Sequence, residues 1–182
     1  MPTKKSLTKD DWLEAAMEML RSQGIGGVRV LPLAKKLRVS RGSFYWHFED
    51  LQDLKDSMLG WWDREMTESV IELANATRGS AEKRLIAAGK NILTAHRNRY
   101  ELAIRSWAED DKKAARVLRR VVRKRLDYIT SLFADAGFSP AEARARGELV
   151  AVYLMSEEAI LMDESLKGRL RLFRRQVRSL MS

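Results

Sequence analysis

Leu37-Arg38-Val39-Ser40-Arg41-Gly42-Ser43-Phe44-Tyr45-Trp46-His47-Phe48 is the stretch on which the reading of this 182-residue chain turns. Just upstream, Leu33, Ala34 and Leu37 mark a short helix, with Pro32 in its first turn where a missing N–H costs nothing. Ser40 opens a second short helix, Arg41–Trp46, with its side-chain oxygen expected to cap free backbone N–H groups and to face a phosphate. Two short helices joined across a tight turn form a helix-turn-helix. Ala34 is small where the helices cross, Val39 plugs the space between them, and Phe44 and Phe48, four apart, face inward. Arg41, Gly42, Ser43, Tyr45, Trp46 and His47 are left on the outside. A Tyr-Trp-His run facing water is apolar surface in want of a partner. The DNA major groove suits it. Arg41 can pair bidentately with guanine, Tyr45 and His47 can reach phosphates, Gly42 lets backbone approach the bases, and Trp46 offers contact to thymine methyls or sugars. A plain helical hairpin with an exposed aromatic edge is the competing reading.

Outward from this stretch the chain reads as helix almost everywhere. Its three prolines stand at 2, 32 and 140, so more than a hundred consecutive residues lack this helix breaker. Thr8 and Asp11 form a T-x-x-D start signal, Trp12, Ala16, Met19 and Leu20 share one face, and Gly24 closes that first helix. Asp50 opens a long fourth helix whose stripe Leu51, Leu54, Met58, Trp62, Met66, Val70 and Leu73 predicts an unbroken run to about Gly79. Ser80 caps a fifth helix carrying Leu85, Gly89, Ile92 and His96; a sixth covers roughly residues 99–108 and a seventh roughly 111–136. Gly137-Phe138-Ser139-Pro140-x-Glu142 supplies a glycine stop, a serine cap, proline at the first helical position and glutamate at the third. An eighth helix follows to about Asp163, and a ninth carries Leu170, Phe173, Val177 and Leu180. The expected fold is all-α, with about nine helices: a three-helix DNA-binding domain over residues 1–50, and a ligand-binding and dimerisation bundle over 51–182, linked by the fourth helix.

Composition excludes several function classes. There is no cysteine, which removes disulfides, zinc–thiolate sites and thiol catalysis and fits a reducing cytoplasm, the expected compartment. Histidines at 47 and 96 have no ligand spacing, so neither metal nor other cofactor is expected. The longest stretch free of charge is Leu149–Ser156, far short of the roughly 20 residues of a membrane span, and Asp10, Asp11 and Glu14 stand where a signal peptide would be apolar. Net charge is +9, which suggests an anionic partner, yet most of it lies in Lys112–Arg125 and Lys167–Arg178 rather than in the helix-turn-helix.

Gly24, Leu33-Ala34, Val39-Ser40-x-Gly42-Ser43-Phe44-Tyr45-Trp46-His47-Phe48 and Leu54 resemble the N-terminal domain of TetR-family transcriptional regulators over about residues 8–59. The resemblance implies a homodimer whose two heads occupy successive major grooves of a palindromic operator in double-stranded DNA. It also implies a variable C-terminal region that binds a small-molecule effector and releases the DNA, the usual member being a repressor. By that resemblance Arg41, Gly42 and Ser43 match base-contacting positions, Tyr45 and His47 match phosphate contacts, Ser40 the cap, and Trp46 lies among them. Three features depart from the pattern. Arg38 stands where the family has a left-handed glycine, at a cost of roughly 1 kcal/mol. Arg29 and Val30 replace the Ser or Thr cap of the second helix, and Leu51 replaces a lysine, for which Lys55 could substitute among Glu49, Asp50, Asp53 and Asp56. Phosphate contacts are expected instead from Lys4, Lys5, Lys35 and Lys36.

The same resemblance implies a four-helix dimer interface from the last two helices, with Val150, Leu154, Leu161, Phe173, Val177 and Leu180 as its candidates; those stripes could equally be one subunit's core. Trp107, Tyr128 and Tyr153 are polar-tipped or aromatic residues able to line an effector pocket, with Met58, Met66 and Met155 as adaptable fillers. Arg125 falls on the Leu118, Val122, Ile129 stripe and is either an anchor for an anionic ligand or paired with an acid such as Glu101 or Glu157. The rival function is an all-α small-molecule carrier or enzyme without sequence-specific DNA binding, but the chain has no nucleophile–base set, Gly-rich phosphate loop or metal cluster. A DNA-binding dimer without an effector shares every feature before residue 60, and differs in whether the C-terminal bundle is hollow.

Overall fold

Capping decides where most of the helices begin. Thr8 Oγ1 accepts from the Asp11 amide at 3.2 Å and the Asp11 carboxylate accepts from the Thr8 amide at 2.7 Å, a complete capping box that starts α1 (Lys9–Gln23). Gly24 ends it at φ +69°, a conformation that costs glycine no side-chain clash. In the computed structural model, which describes residues 7–160 and 163–182, the described chain is all-α: nine α-helices with short 3₁₀ and π segments and no strand. After α1 come α2 (Val30–Lys36), α3 (Leu51–Asp63), α4 (Ser69–Ala76), α5 (Ala81–Thr94), α6 (Glu101–Asp110), α7 (Lys112–Asp135), α8 (Pro140–Ile160) and α9 (Leu166–Met181).

Two compact units divide the chain: one runs up to Trp62 and includes Leu102–Val117, the other comprises Asp63–Glu101 with Leu118–Ser182. The packing unit therefore continues to Trp62, beyond the residue-50 limit expected for the DNA-binding domain. In the first unit Trp12 meets Phe44 edge-on at 5.7 Å, Phe44 meets Phe48 at 5.2 Å, and Leu33, Leu54 and Met58 are fully buried around them. Asp50 and Asp53 start α3 reciprocally, the Asp53 amide donating to Asp50 at 2.8 Å and the Glu49 amide to Asp53 at 3.0 Å. Asp111 caps α7 by accepting from the Lys113 and Ala114 amides at 2.8 and 2.9 Å.

The second unit is built on α5, α7, α8 and α9. Its core gathers Leu85 and Leu93 of α5, Leu132 and Phe133 of α7, Val150 and Leu154 of α8, and Phe173 and Val177 of α9. Gly89 lets α5 meet α9 closely, since a Cβ there would lie 2.0 Å from the Phe173 ring. Gly137, at φ +95°, stops α7, and Ser139 with Glu142 forms the box that starts α8. A buried ion pair joins α8 to α9: Arg169 Nε donates to Glu157 at 2.7 Å, with Arg169 Nη2 donating to its other oxygen, and Glu157 is fully inaccessible.

Four local expectations fail for physical reasons. Arg41–Trp46 winds as a 3₁₀ helix, not an α-helix: six residues containing Gly, Ser and three aromatics have weak helix propensity, and the Ser43 amide bonds the Ser40 carbonyl at 3.1 Å. The predicted fourth helix is not unbroken. A π turn, Arg64–Glu68, lies between α3 and α4, and Leu73 is 41% exposed while Ala74 is buried in its place. His96 is not on the fifth helix; it is exposed at φ +47° just after α5. The sixth helix begins at Glu101, two residues later than expected, because the Glu101 amide first closes a turn onto the Asn98 carbonyl at 3.0 Å.

Candidate nucleic-acid interface and effector cavity

α2 and the Arg41–Trp46 turn present the predicted outer surface. Arg38 takes φ +57°, the left-handed corner between them, where the sequence lacks the usual glycine. Lys35, Lys36, Ser40, Arg41, Gly42, Tyr45 and Trp46 are exposed, Ser43 and His47 half-buried, and Trp46 reaches 87%. Phe44 and Phe48 hold this surface down from inside, and Lys9 Nζ sits 4.8 Å above the Phe48 ring. Arg41 Nη2 donates to the Tyr45 hydroxyl at 3.1 Å, which places the guanidinium along the outer edge. Gly42 is informative because the fold does not require it. A Cβ there would touch only Ser40 Oγ, at an ordinary 3.7 Å, so packing within the chain leaves room for a side chain at this position.

One expectation on this surface is corrected. Ser40 stands at the cap position but makes no capping bond; its hydroxyl pairs with Ser43 Oγ at 3.1 Å, because the tight 3₁₀ winding brings the two side chains together. Arg29 precedes α2 without capping it, as its sequence implied, and donates from Nε to the Gly26 carbonyl at 3.0 Å. Lys55 is half-buried on α3.

Residues 13–57 match the family model of bacterial regulatory proteins, tetR family. The match supports a TetR-family regulator, and it spans the helix-turn-helix. The chain is a DNA-binding transcriptional regulator with a helix-turn-helix. Solved structures share the TetR fold along nearly the whole chain. A TetR-family transcriptional regulator from Streptomyces coelicolor is 18% identical, covers 95% of this chain and 87% of its own, and superposes with a TM-score of 0.76. The reduced form of NemR from E. coli is 15% identical over 96% and 97%, at 0.76. The transcriptional regulator FadR from Bacillus subtilis, in complex with stearoyl-CoA, is 14% identical over 96% and 98%, at 0.69. A search of the curated proteins returned no match.

The second unit is hollow. A cavity of about 140 Å³ lies among Val70, Leu85, Ala88, Ile92, Leu126 and Ile129, with Met66 and Met155 also in its wall. Its polar lining comprises Thr67, Arg97, Asn98, Glu101, Arg125 and Tyr128, and exposed Glu148 and Val152 of α8 stand at its edge. Arg125 unites both sequence alternatives: it lines the cavity and is paired, donating to Glu101 at 2.8 Å and to Thr67 Oγ1 at 2.7 Å. Tyr128 lines it too and donates to Asn75 at 2.9 Å; burial pushes its phenol above the ordinary range and keeps it a donor.

Trp107 and Tyr153 do not line this cavity. Trp107 is 3% exposed in the first unit and its indole N–H bonds Asp111. Tyr153 stacks on Phe173 at 5.7 Å, inside the α8–α9 packing. Arg97 and Asn98 were missed because they lie in the turns after α5, outside any apolar stripe.

The interface candidates are also redistributed. Val150, Leu154, Phe173 and Val177 are at most 6% exposed within the single chain, so they have almost no surface left to give a partner. Leu180 packs partly buried against the same core, and Leu161 lies outside the described residues. Among the described residues, the large apolar side chains that α8 exposes are Leu149 and Val152, 60% each, one position before Val150 and two before Leu154.

Proposed function

We propose that this regulator is a ligand-responsive repressor that binds a palindromic operator as a homodimer and is released by a small molecule. The cavity carries this reading. An effector-free DNA-binding dimer needs no hollow bundle, whereas this second unit keeps an apolar chamber with two arginines, an asparagine and a tyrosine in its wall. The likeness to FadR, whose structure holds stearoyl-CoA, supports a ligand role for the same fold.

On the DNA, Arg41, Gly42 and Ser43 read base edges, Tyr45, His47 and Ser40 meet phosphates, and Trp46 packs on thymine methyls or sugars. Lys35 and Lys36, both exposed, and half-buried Lys55 take further phosphate contacts. The partner subunit seats on the exposed α8 face of Leu149 and Val152, flanked by Ala141 and Ala145, whose small side chains allow close helix approach. Sedimentation of the chain alone and on duplex DNA tests the assembly, and a compound screen read by both melting temperature and DNA affinity tests the switch. A dimer, with compounds that raise melting temperature while weakening DNA binding, supports the proposal. A monomer on DNA, or stabilising compounds that leave DNA affinity unchanged, contradicts it.

A further inference from the structure

Charge accounting around the cavity, on the reading that it is the effector site, singles out one cation. Glu101 is taken by Arg125 at 2.8 Å, Glu148 by Arg144 at 2.7 Å, and Glu65 by Arg64 at 3.1 Å. Glu157, buried nearby, is taken by Arg169. Arg97 differs. Its Nη1 donates to the Glu65 backbone carbonyl and, at 3.0 Å, to Ser69 Oγ, and among the described residues no carboxylate pairs with it. Its Nε–H is buried and bonds nothing. A guanidinium has five N–H donors, so the bonds from Nη1 leave donors in hand for a carboxylate. A half-buried cation held only by neutral acceptors favours an incoming anion, and the acids nearby are already neutralised, so an incoming cation finds no counter-charge.

Size narrows the class further. About 140 Å³ of space is close to the roughly 150 Å³ of an apolar cavity that holds a benzene molecule. The wall around it is Val70, Leu85, Ile92 and Leu126. We propose that the effector is a small apolar monocarboxylate, with a body about the size of one aromatic ring, whose carboxylate is received by Arg97.

Calorimetric titration of the full chain with 3-phenylpropionate, its amide and 3-phenylpropylamine tests this directly. The acid is expected to bind about tenfold or more tighter than the amide, the worth of one charge-assisted hydrogen bond, with the amine weakest. Arg97→Gln should abolish that preference and leave amide affinity within about twofold, and Arg97→Lys should restore part of it. The wild-type ligand series stands even if a variant fails to fold. Equal affinity for acid and amide, or a preference for the amine, overturns the carboxylate assignment. Toluene reports the cavity alone: its binding without that of the acid overturns the assignment only, whereas no binding by any of the four probes overturns the effector cavity as well.

Discussion

Replacing Tyr45 with phenylalanine tests whether the outer edge of the helix-turn-helix is a DNA surface. The change removes one oxygen from a ring that is 51% exposed and keeps the edge-on packing against Phe44 at 5.2 Å. Among the described residues its hydroxyl bonds Arg41 alone, at 3.1 Å, so folding stability should move by no more than about 0.5 kcal/mol. On DNA the loss is a hydrogen bond to an anionic phosphate, about 1.5–3 kcal/mol, made once by each subunit. A dimer therefore loses about 3–6 kcal/mol, or roughly 150- to 25,000-fold in affinity, on every sequence alike. A phenol carries no charge and displaces no counterion, so the slope of log affinity against log salt should not change. Two controls separate the other roles. Lys36→Ala should flatten that slope by about 0.9 per subunit, and Arg41→Ala should relax preference at one base pair per half-site at about 1–3 kcal/mol. Fluorescence anisotropy on a labelled duplex at several salt concentrations, with single base-pair variants of the site, reads all three. Wild-type affinity for Tyr45→Phe, or a loss confined to one base pair, would refute the assignment of Tyr45 to phosphate.

Other substitutions probe the scaffold beneath. Gly89→Ala gains about 1 kcal/mol of helix propensity but drives a methyl to within 2.0 Å of the Phe173 ring, and overpacking of about 1–3 kcal/mol should win; the melting temperature should fall by a few degrees and recover partly when Phe173→Leu is added. Glu101→Ala strands the Arg125 guanidinium on Thr67 and a backbone carbonyl and should cost about 3–5 kcal/mol in denaturant titration, with a smaller loss when Arg125→Met accompanies it. The Ala114 amide, together with Lys113 and Trp107, holds the Asp111 carboxyl below its ordinary value despite the opposing effect of burial. Its stabilising share is thus present above about pH 4 and lost as pH falls through the lower folded-state value, so acid denaturation should begin at higher pH in wild type than a charge-independent cap would allow, and Asp111→Asn should remove that pH dependence.

The caps and stops were legible because each is a local bargain between a side chain and its own backbone: Thr8 with Asp11, Ser139 with Glu142, Gly24 and Gly137. The aromatic run was equally legible, since Phe44 and Phe48 four apart leave Tyr45 and Trp46 only the outside. The π turn at Arg64–Glu68 was not, because apolar residues three or four apart continue across it and conceal one extra residue in the winding. Periodicity also failed on α8, where Leu149, Val150, Val152 and Leu154 are all apolar and only packing decides that the first and third face out. Arg125 was found through its place on an apolar stripe; Arg97, in a turn between α5 and α6, had no stripe to interrupt.

The central claim is that the exposed edge from Ser40 to His47 reads DNA sequence in two symmetric copies. Selection of binding sites from random duplex DNA by the purified chain tests it most directly. The account predicts an inverted repeat whose half-site centres lie about one helical turn apart or a multiple of it, with preference that survives moderate salt and weakens at one base pair per half-site in Arg41→Ala. Enrichment of no sequence, or binding that treats all sequences alike and vanishes with salt, would contradict it and leave net charge as the sole source of the affinity.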